Sequence, residues 1–462
     1  MSLVGDLAAR AHSVAAGPIP AAVRTATRAH LTDAAGALVA GHTSLHGPVE
    51  RLADSLGLGN ARRTAFVGGV YAHCWETGDI HRGAVLCPGC IVLPATLAVL
   101  PACPSVSTEQ FERAYLAGYE VALAAAIAVR GERLIQRGWW PTALVAPLGG
   151  AAAVSVLLGR SPESTASAIA LAAQHAGGAI AGTTERADGR HLLSGFAAER
   201  AVTAVLAADA GWTGPLDILD DPRSPIQRVD PDAGLVSGYL LPETSLKPHA
   251  GAKHLQSAID AVLALRAQVT GEIERLTCYL PAQLAKVIDR PPPFGSVLNA
   301  LGSAQFVLAV SALRGRCTPA DFDGATLRDE ELLALAGKIR IETADDLSAA
   351  YPAKWGARVE ITTSSGTVHA ERLDARGDPG CPLSEAEITG KFVTLAGGSF
   401  GDEKAHAVAE SLLHPDPAGL PSTLSEYLLP LLGSPSREPR ADTLVPSLEG
   451  AVPAGARTGG SS

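Results

Sequence analysis

One long apolar run, Thr142 to Gly159 (TALVAPLGGAAAVSVLLG), most restricts how this chain can fold. Its length is close to the roughly 18 residues that a membrane-spanning helix needs. The run is rich in Ala and Gly, however, and it contains Pro147. We therefore predict a helix buried in a protein core rather than a membrane span, and we expect no membrane partner.

The composition indicates how such a core is packed. The chain has 462 residues, enough for two or three domains, and 47% of them are hydrophobic while 18% are charged. These proportions are typical of globular proteins. Aromatic residues make up only 4%, whereas glycine alone occurs 48 times. A core of this kind requires closely packed helices with small residues at their contacts.

Charge and cysteine content exclude some partners. The formal net charge is −10, and the chain has no block of Lys or Arg. This argues against nucleic acid as a partner, since phosphate binding needs a clustered basic face. The N-terminal sequence MSLVGDLAARAHSVAAG has no basic region followed by an apolar one, which predicts no signal peptide. Seven cysteines, an odd number, then fit reduced thiols in the cytoplasm.

Hydrophobic periodicity predicts a mainly α protein with an α+β second domain. An irregular Pro/Asp-rich segment spans residues 213–245, and a flexible loop spans Gly177–Gly189. The predicted helices cover 18–40, a segment from about Pro94, Ser107–Val129, Ser161–Ala176, 191–211, Lys253–Gln268, Ser303–Arg314, Leu383–Leu395 and Lys404–His414. The predicted strands are Ile273–Leu280, Lys338–Glu342, Arg358–Thr363 and Thr367–Arg372, the last two joined by a hairpin turn at Ser364 to Gly366.

These elements predict a discontinuous domain organisation. A large helical domain would comprise residues 1–268 and 400–432, and a smaller α+β domain would comprise residues 269–399. The remaining segment, 433–462, is rich in Pro, Gly and Ser and is predicted to be a flexible tail.

The densest group of reactive side chains lies between Tyr71 and Leu100. Regular secondary structure alone does not require this mixture of side chains within eighteen residues: His73, Cys74, Glu76, Asp79, His81, Arg82, Cys87 and Cys90. Cys87 and Cys90 also have C-x-x-C spacing, so zinc or redox chemistry is one hypothesis. The sequence around them lacks a thioredoxin-like strand–helix context and a second C-x-x-C, and we predict no metal.

Several of these residues suit proton transfer, and each also has a structural alternative. Asp79 or His81 could be a general base, or the two could form a hydrogen-bonded structural pair. Glu76 could act in catalysis or serve as a helix cap or ion-pair partner. A Cys87 thiolate could abstract a proton or add covalently, whereas a Cys87 thiol would be a small buried apolar group.

The stretch AHCWETGDIHRGAVLCPGCIVLPATLA resembles the signature region of the MmgE/PrpD family. That family contains 2-methylcitrate dehydratases, cis-aconitate decarboxylases and iminodisuccinate epimerases. Four further segments resemble family elements in the same order: RGWWPTALVAPLGGAAA, GRHLLSGFAAERAVTAVLAADAGWTGPLDIL, SLKPHAGAKHLQSAIDA and RGDPGCPLSEAEITGKF. The resemblance covers residues 20–415. It implies a large all-helical domain, a smaller α+β lid domain, a homodimer, and no metal or organic cofactor.

The family breaks a C–H bond beside a carboxylate and then loses water or CO₂, or returns the proton on the other face. This chemistry needs a base, an acid and cations that hold carboxylates. The resemblance places Glu76 and Asp79 at the two ends of the family's acidic element. Cys87 and Trp140 occupy the positions of two family histidines, and His73 matches a third.

The resemblance also implies which residues bind substrate. Lys247 is retained, and Pro248 after it fixes the turn that aims its side chain; the alternative is a solvated surface lysine. Arg190 occupies the position of a family lysine and could grip a carboxylate, or could instead pair with Asp188 or Glu185. The remaining implied pocket residues are Trp140 as an apolar wall, His73 as a ligand or satisfied core group, and His249 as a replacement imidazole.

Together these observations predict a cofactor-independent lyase, of dehydratase or decarboxylase type, that acts on a small organic acid. We expect a cytoplasmic homodimer whose substrate is larger or less charged than a tricarboxylate, from specialised metabolism. One alternative is an isomerase or epimerase that uses Cys87 in proton transfer. A second is a non-catalytic binding homologue, and a third is zinc-dependent chemistry at Cys87 and Cys90.

Overall fold

The computed structural model describes residues 2–180 and 189–433. Its α-helices are α1 Leu3–Ala16, α2 Ala21–Ser55, α3 Asn60–His73, α4 Gly89–Val99, α5 Thr108–Val129, α6 Gly131–Gln136, α7 Pro141–Leu157, α8 Pro162–Gln174, α9 Arg190–Asp209, α10 Gln256–Leu265, α11 Ala282–Ile288, α12 Val297–Leu301, α13 Ala304–Arg314, α14 Glu330–Gly337, α15 Asp345–Ala350, α16 Glu385–Phe400, α17 Asp402–Leu413 and α18 Gly419–Tyr427. The strands are β1 Ile273–Leu280, β2 Ile339–Thr343, β3 Ala357–Thr363 and β4 Gly366–Arg372. Short 3₁₀ helices are Leu100–Ala102, Leu241–Glu243, Lys253–Leu255, Arg266–Gln268, Pro319–Asp321, Thr326–Arg328 and Leu429–Leu432.

The long apolar run forms α7, whose residues from Pro141 to Ser155 are all buried. It packs against α4, α5, α8 and α9. In the described part of the chain, no helix combines the length and apolar character needed to cross a bilayer. The prediction of a buried core helix is therefore confirmed.

Glycines let neighbouring helices approach closely. A Cβ added to Gly149 of α7 would lie 2.2 Å from the carbonyl oxygen of Gly118 in α5. Likewise, a Cβ on Gly195 of α9 would lie 2.7 Å from the carbonyl oxygen of Phe66 in α3. Real Cβ atoms do not occupy such positions, because the clash would force the helices apart. The structure thus confirms the expected helix packing through small residues.

Most predicted helices are present with shifted ends, but α4 begins at Gly89 rather than near Pro94. The Gly89 N–H donates to the Asp79 carboxylate at 3.0 Å, which supplies a partner for the start of the helix. Pro94 lies inside α4, and every residue of this helix is buried. Tertiary packing therefore outweighs the local penalty of an internal proline.

The four strands form one sheet in the order β2-β1-β3-β4. β1 pairs with β2 in parallel and with β3 antiparallel, and β3 pairs antiparallel with β4. Thr363 pairs with Gly366, so the predicted hairpin turn is confirmed. The fold is mainly α with a small mixed sheet, as the sequence predicted.

Two large hydrophobic clusters divide the core. The first comes from residues 3–241 and 392–432. The second comes from residues 250–361 and includes α10, α13 and the sheet. The exact domain boundaries at 268 and 399 stay a prediction. Of the predicted flexible segments, residues 181–188 and 434–462 lie outside the described residues.

Candidate active site

Glu76 occupies the turn that follows α3, between the two hydrophobic clusters. Its neighbour Trp75 packs against the second cluster, while α3 belongs to the first. Glu76 has a positive φ of 52°, a conformation that favours glycine. Its N–H donates to the His73 carbonyl at 3.1 Å, which helps to hold this backbone conformation. A non-glycine residue held in this region is often found at a functional site.

Two cations from distant parts of the sequence surround the Glu76 carboxylate. Arg190 Nη1 lies 2.8 Å from Oε1, and Lys247 Nζ lies 4.0 Å from Oε2. Burial by itself would raise the pKa of Glu76, but Arg190 and Lys247 outweigh it and hold the pKa well below its usual range. The Lys247 side chain is only 2% exposed, so the surface-lysine alternative is wrong. Glu185 and Asp188, the alternative partners of Arg190, lie outside the described residues.

Trp140 provides an apolar wall beside these charges. It precedes α7 and is buried. The Arg190 guanidinium lies 5.3 Å from the centre of its ring, a cation–π arrangement. The His73 ring lies 4.7 Å from the same Trp140. The structure therefore brings together Glu76, Arg190, Lys247, Trp140 and His73, five of the residues that the sequence singled out.

His73 has a free ring nitrogen in this group. Its Nε2 is buried, lies 3.9 Å from Glu76 Oε1, and has no hydrogen-bond partner in the described part of the chain. Burial lowers the pKa of His73 to about 3, with Arg190 and Lys247 acting in the same direction and Glu76 in the opposite one. The ring is therefore neutral at pH 7, and the satisfied-core alternative does not fit its unpaired nitrogen.

Two further residues, His254 and Arg290, belong to the same electrostatic group and were missed by the sequence reasoning. Burial lowers the pKa of His254 to about 4, and Glu76, Lys247 and Arg190 also act on it. Burial and Arg190 lower the pKa of Arg290. His254 lies in the same segment as Lys247, which was the one available signal. Arg290 has no motif around it, so only the folded chain reveals its position.

Asp79 is buried, and hydrogen bonds occupy its carboxylate. Both oxygens accept from the Gly89 N–H, and Oδ2 also accepts from the Tyr119 hydroxyl. His30 Nδ1 lies 3.8 Å from Oδ2. In the described residues Asp79 makes no hydrogen bond with His81. These contacts indicate that Asp79 fixes the start of α4.

One ring nitrogen of His81 and one of His249 each have a protein partner, whereas His81 Nε2 is buried without a hydrogen-bond partner among the described residues and lies 3.9 Å from Glu243 Oε2. His81 Nδ1 accepts from the Ala84 N–H at 3.0 Å, and burial together with Arg82 lowers the pKa of His81 to about 4. His249 Nε2 lies 3.0 Å from Asp260 Oδ1. The contacts of these two imidazoles thus shape turns beside the Glu76 group rather than joining its ion pairs. Their predicted roles in catalysis and substrate binding stay predictions.

Cys87 is buried, and its N–H donates to Thr142 Oγ1 at 3.1 Å. Burial raises the pKa of the Cys87 thiol to about 12, even though Lys247 acts in the opposite direction. The thiol is therefore protonated at pH 7 and is a poor base or nucleophile. Across residues 2–180 and 189–433, the cluster with metal-ligand spacing is Glu385, Glu410 and His414, which includes neither Cys87 nor Cys90.

A groove of considerable volume elsewhere in the molecule does not contain these groups. It has a volume of about 910 Å³ and lies on the α+β part, where Val262, Ile273 and Leu313 are among its lining residues. Charged residues also line this groove, among them the ion pair of Glu272 and Lys338, but no histidine among the described residues does, whereas the Glu76 region combines charges with two imidazoles. We therefore assign the candidate active site from its side chains.

Comparisons with known proteins identify the family of the chain. The model of the MmgE/PrpD N-terminal domain matches residues 5–234, and that of the MmgE/PrpD C-terminal domain matches residues 249–414. The chain is 28% identical over 351 residues to the cis-aconitate decarboxylase of Mus musculus, covering 71% of this chain and 70% of that protein. It is 26% identical over 350 residues to the cis-aconitate decarboxylase of Homo sapiens, covering 71% of both chains.

A fungal relative extends the match. The cis-aconitate decarboxylase of Aspergillus terreus is 23% identical over 416 residues, covering 81% of this chain and 82% of that protein. The two domain models together match most of the chain, and the N-terminal one includes Glu76 and Arg190. The chain therefore belongs to the MmgE/PrpD family.

Proposed function

We propose that this protein is a lyase of the dehydratase or decarboxylase type that acts on a small organic acid at the Glu76 site. The observation that carries the proposal is the grouping of Arg190 and Lys247 around one largely buried carboxylate, beside a neutral His73 with a free nitrogen. Within the described residues these two cations exceed the single carboxylate of Glu76 by one charge. A substrate carboxylate would balance that excess.

The chemistry follows from this arrangement. Arg190 and Lys247 would hold a carboxylate next to the reacting carbon and stabilise the negative charge that develops there. In dehydration, His73 would accept the C–H proton, the bonding electrons would form a C=C bond, and the hydroxyl would leave as water after protonation. In decarboxylation, the C–C bond breaks, CO₂ leaves, and a proton replaces it on the carbon. Glu76 keeps the two cations aligned.

Anion binding would also raise the basicity of His73. Arg190 and Lys247 both lower the pKa of His73 in the structure. A bound carboxylate would neutralise part of their positive charge and move this pKa back towards its ordinary value. His73 would therefore be a stronger base when the substrate is bound than when it is not. The names of the relatives, cis-aconitate decarboxylases, support the same class of reaction.

The other hypotheses have less support. The isomerase alternative depended on a Cys87 thiolate, and burial keeps this thiol protonated. The relatives named above are decarboxylases, not isomerases. The non-catalytic alternative rested on lost family histidines, yet His73 and His254 each have a ring nitrogen without a hydrogen-bond partner among the described residues. The homodimer, the cytoplasmic location and a specialised-metabolism substrate stay predictions.

The experiment uses the purified full chain with two acids, each with its own readout. We would follow CO₂ release from cis-aconitate and the appearance of a new C=C absorbance from 2-methylcitrate. We expect one acid to be consumed. In Lys247→Met we expect kcat/KM for that acid to fall by about 10²–10³-fold, as for the loss of a charge-stabilising group.

Lys286→Met is the matched control, because Lys286 is exposed and lies outside the site. It should leave the rate unchanged. The proposal is contradicted if neither acid is consumed and neither takes up deuterium from D₂O at carbon.

A further inference from the structure

His254 lies on the segment that leads into the second hydrophobic cluster. It belongs to the short 3₁₀ turn Lys253–Leu255, and its ring lies 5.1 Å from the ring of Trp355. Its Nδ1 is buried and has no hydrogen-bond partner within residues 2–180 and 189–433. A buried polar atom is normally paired, so an unpaired one inside a charged group marks a place for a ligand atom.

The charged groups that act on His254 come from four separate elements. Glu76 follows α3, Arg190 begins α9, Lys247 precedes the 3₁₀ turn, and Arg290 follows α11. Burial has the largest effect on the pKa of His254, the three cations lower it further, and Glu76 opposes them. The ring is therefore neutral at pH 7.

Hydrogen bonds hold the backbone and the Nε atom of Arg290. Its backbone N–H donates to Gln305 Oε1 at 3.0 Å, its carbonyl accepts from Ser303 Oγ at 2.6 Å, and its Nε donates to the Val287 carbonyl at 3.1 Å. In the described part of the chain, its two terminal nitrogens have no hydrogen-bond or ion-pair partner. Such a guanidinium presents two parallel donors to a planar anion.

Gly302 leaves room for this guanidinium. A Cβ added at Gly302 would lie 2.7 Å from Arg290 Nη1 and 3.6 Å from Nη2. The absence of a side chain at this position therefore keeps the terminal nitrogens where they are. With Arg290 included, the described cations of the site, Arg190, Lys247 and Arg290, exceed Glu76 by two charges.

We propose that Arg290 and His254 form a second half of the substrate site: Arg290 binds a second carboxylate, and His254 Nδ1 gives a proton to the reacting carbon. This inference rests on the lyase function proposed above and assigns the proton donor that the reaction needs. His73 and His254 then both serve the same site.

The proton balance of this step is complete. When the carboxylates of the substrate offset the three cations, His254 takes a proton from solvent. In decarboxylation the C–C bond breaks, CO₂ leaves, and the electron pair stays on the carbon, stabilised by the adjacent carboxylate. The Nδ1–H bond of His254 then breaks, a C–H bond forms, and the imidazole is neutral again. One proton is consumed for each CO₂ released.

Binding can be tested apart from turnover with tricarballylate, a saturated tricarboxylate that has neither a double bond nor a hydroxyl group to lose. We would titrate the full chain calorimetrically at pH 7 in PIPES and in Tris, whose different ionisation enthalpies report proton uptake. We expect uptake of up to about one proton on binding. In His254→Asn, that uptake should fall by at least about half, whereas His406→Asn, at an exposed position, should keep it.

For Arg290→Gln, we expect the affinity for tricarballylate to fall by more than about tenfold, since a charge-assisted bidentate contact is lost. The affinity for acetate, a monocarboxylate, should change by less than about threefold. Arg275→Gln is the matched control at an exposed position of β1. Gly302→Ala, which displaces the guanidinium without removing it, should weaken tricarballylate binding in the same direction.

The inference is overturned if His254→Asn takes up as many protons as the wild type, or if Arg290→Gln and Gly302→Ala bind tricarballylate as tightly. If His254 variants do not fold, the two variants at the Arg290 wall decide. His254-dependent proton uptake without turnover of any acid would contradict the proposed function alone. Turnover with unchanged proton uptake in His254→Asn would contradict this inference alone.

Discussion

Two carboxylates, the largely buried Glu76 and the fully buried Asp378, each lie beside cations from distant parts of the chain, but their surroundings differ. Asp378 Oδ1 accepts from Ser245 Oγ at 2.6 Å and from Lys253 Nζ at 2.5 Å. Its Oδ2 accepts from the Ala375 N–H at 3.0 Å and lies 3.5 Å from Arg82 Nη1. Both oxygens are therefore paired, and the cluster joins the segment before α10 to the loop after β4.

The Glu76 group leaves polar atoms unpaired by comparison. Lys247 Nζ is 4.0 Å from the carboxylate, and His73 Nε2 and His254 Nδ1 have no hydrogen-bond partner among the described residues. The Asp378 group is a closed cluster, because every buried charge in it is compensated, and it stabilises the fold. The Glu76 group is an open cluster, because its charge and its unpaired polar atoms are available to a ligand. Unsatisfied groups, rather than buried charge as such, separate the functional carboxylate from the structural one.

The largest effect should come from breaking the closed cluster. Lys253→Met would leave Asp378 buried without its closest cation. We expect the free energy of unfolding to fall by about 3–5 kcal/mol, measured by urea denaturation. An unchanged midpoint would mean that Asp378 is compensated by Ser245 and Arg82 alone. The matched substitution six residues earlier, Lys247→Met, is the control.

The same substitution at the open cluster should separate stability from activity. Lys247→Met removes a buried cation that makes no close ion pair, so we expect the free energy of unfolding to change by less than about 1 kcal/mol. The rate constant kcat/KM should nevertheless fall by about 10²–10³-fold. If Lys247→Met were instead as destabilising as Lys253→Met, the distinction between the two clusters would be wrong.

A smaller effect concerns pH and the turn beside the site. Folding lowers the pKa of His81 from 6.5 to about 4, so between these values the unfolded chain binds more protons at this residue than the folded chain. Its contribution therefore makes the protein less stable as pH falls from 6.5 towards 4, by at most about 1.4 kcal/mol per pH unit.

His81→Asn should accordingly flatten the dependence of the unfolding free energy on pH over that window. The control is His406→Asn, since His406 is exposed. Equal slopes in wild type and His81→Asn would show that His81 does not titrate with a lowered pKa in the folded protein.

The smallest effect should be at Cys87. Because burial keeps this thiol protonated, Cys87→Ala should change kcat by less than about threefold, measured with the acid that the wild-type protein consumes. A loss of a hundredfold or more would restore the hypothesis that Cys87 transfers protons.

Much of the fold could be predicted because local patterns decide it. The apolar run of α7 and the alternation of β1, β3 and β4 each follow from periodicity. Helix α3 has no comparable pattern, since its burial depends on α9 and on the close approach of Gly69 and Gly195. The start of α4 at Gly89 likewise depends on Asp79, ten residues earlier.

The site was predicted where one sequence segment carried its signal. Glu76, Lys247 and Arg190 lie in family-like segments, and the structure brings their side chains together. His254 and Arg290 were missed because their importance lies in which charges face them after folding. No spacing rule relates residue 290 to residues 76 and 190, so only the tertiary structure could reveal that Arg290 and His254 belong to the site.

The central claim is that the Glu76 group is the working site and the Asp378 group is structural. The most direct measurement is the turnover rate per folded molecule, with cis-aconitate and 2-methylcitrate as substrates, for Lys247→Met and Lys253→Met at a temperature where both variants remain folded. We predict a rate about 10²–10³-fold below wild type for Lys247→Met and a rate near wild type for Lys253→Met. Equal rates in the two variants, or a greater loss in Lys253→Met, would contradict the account.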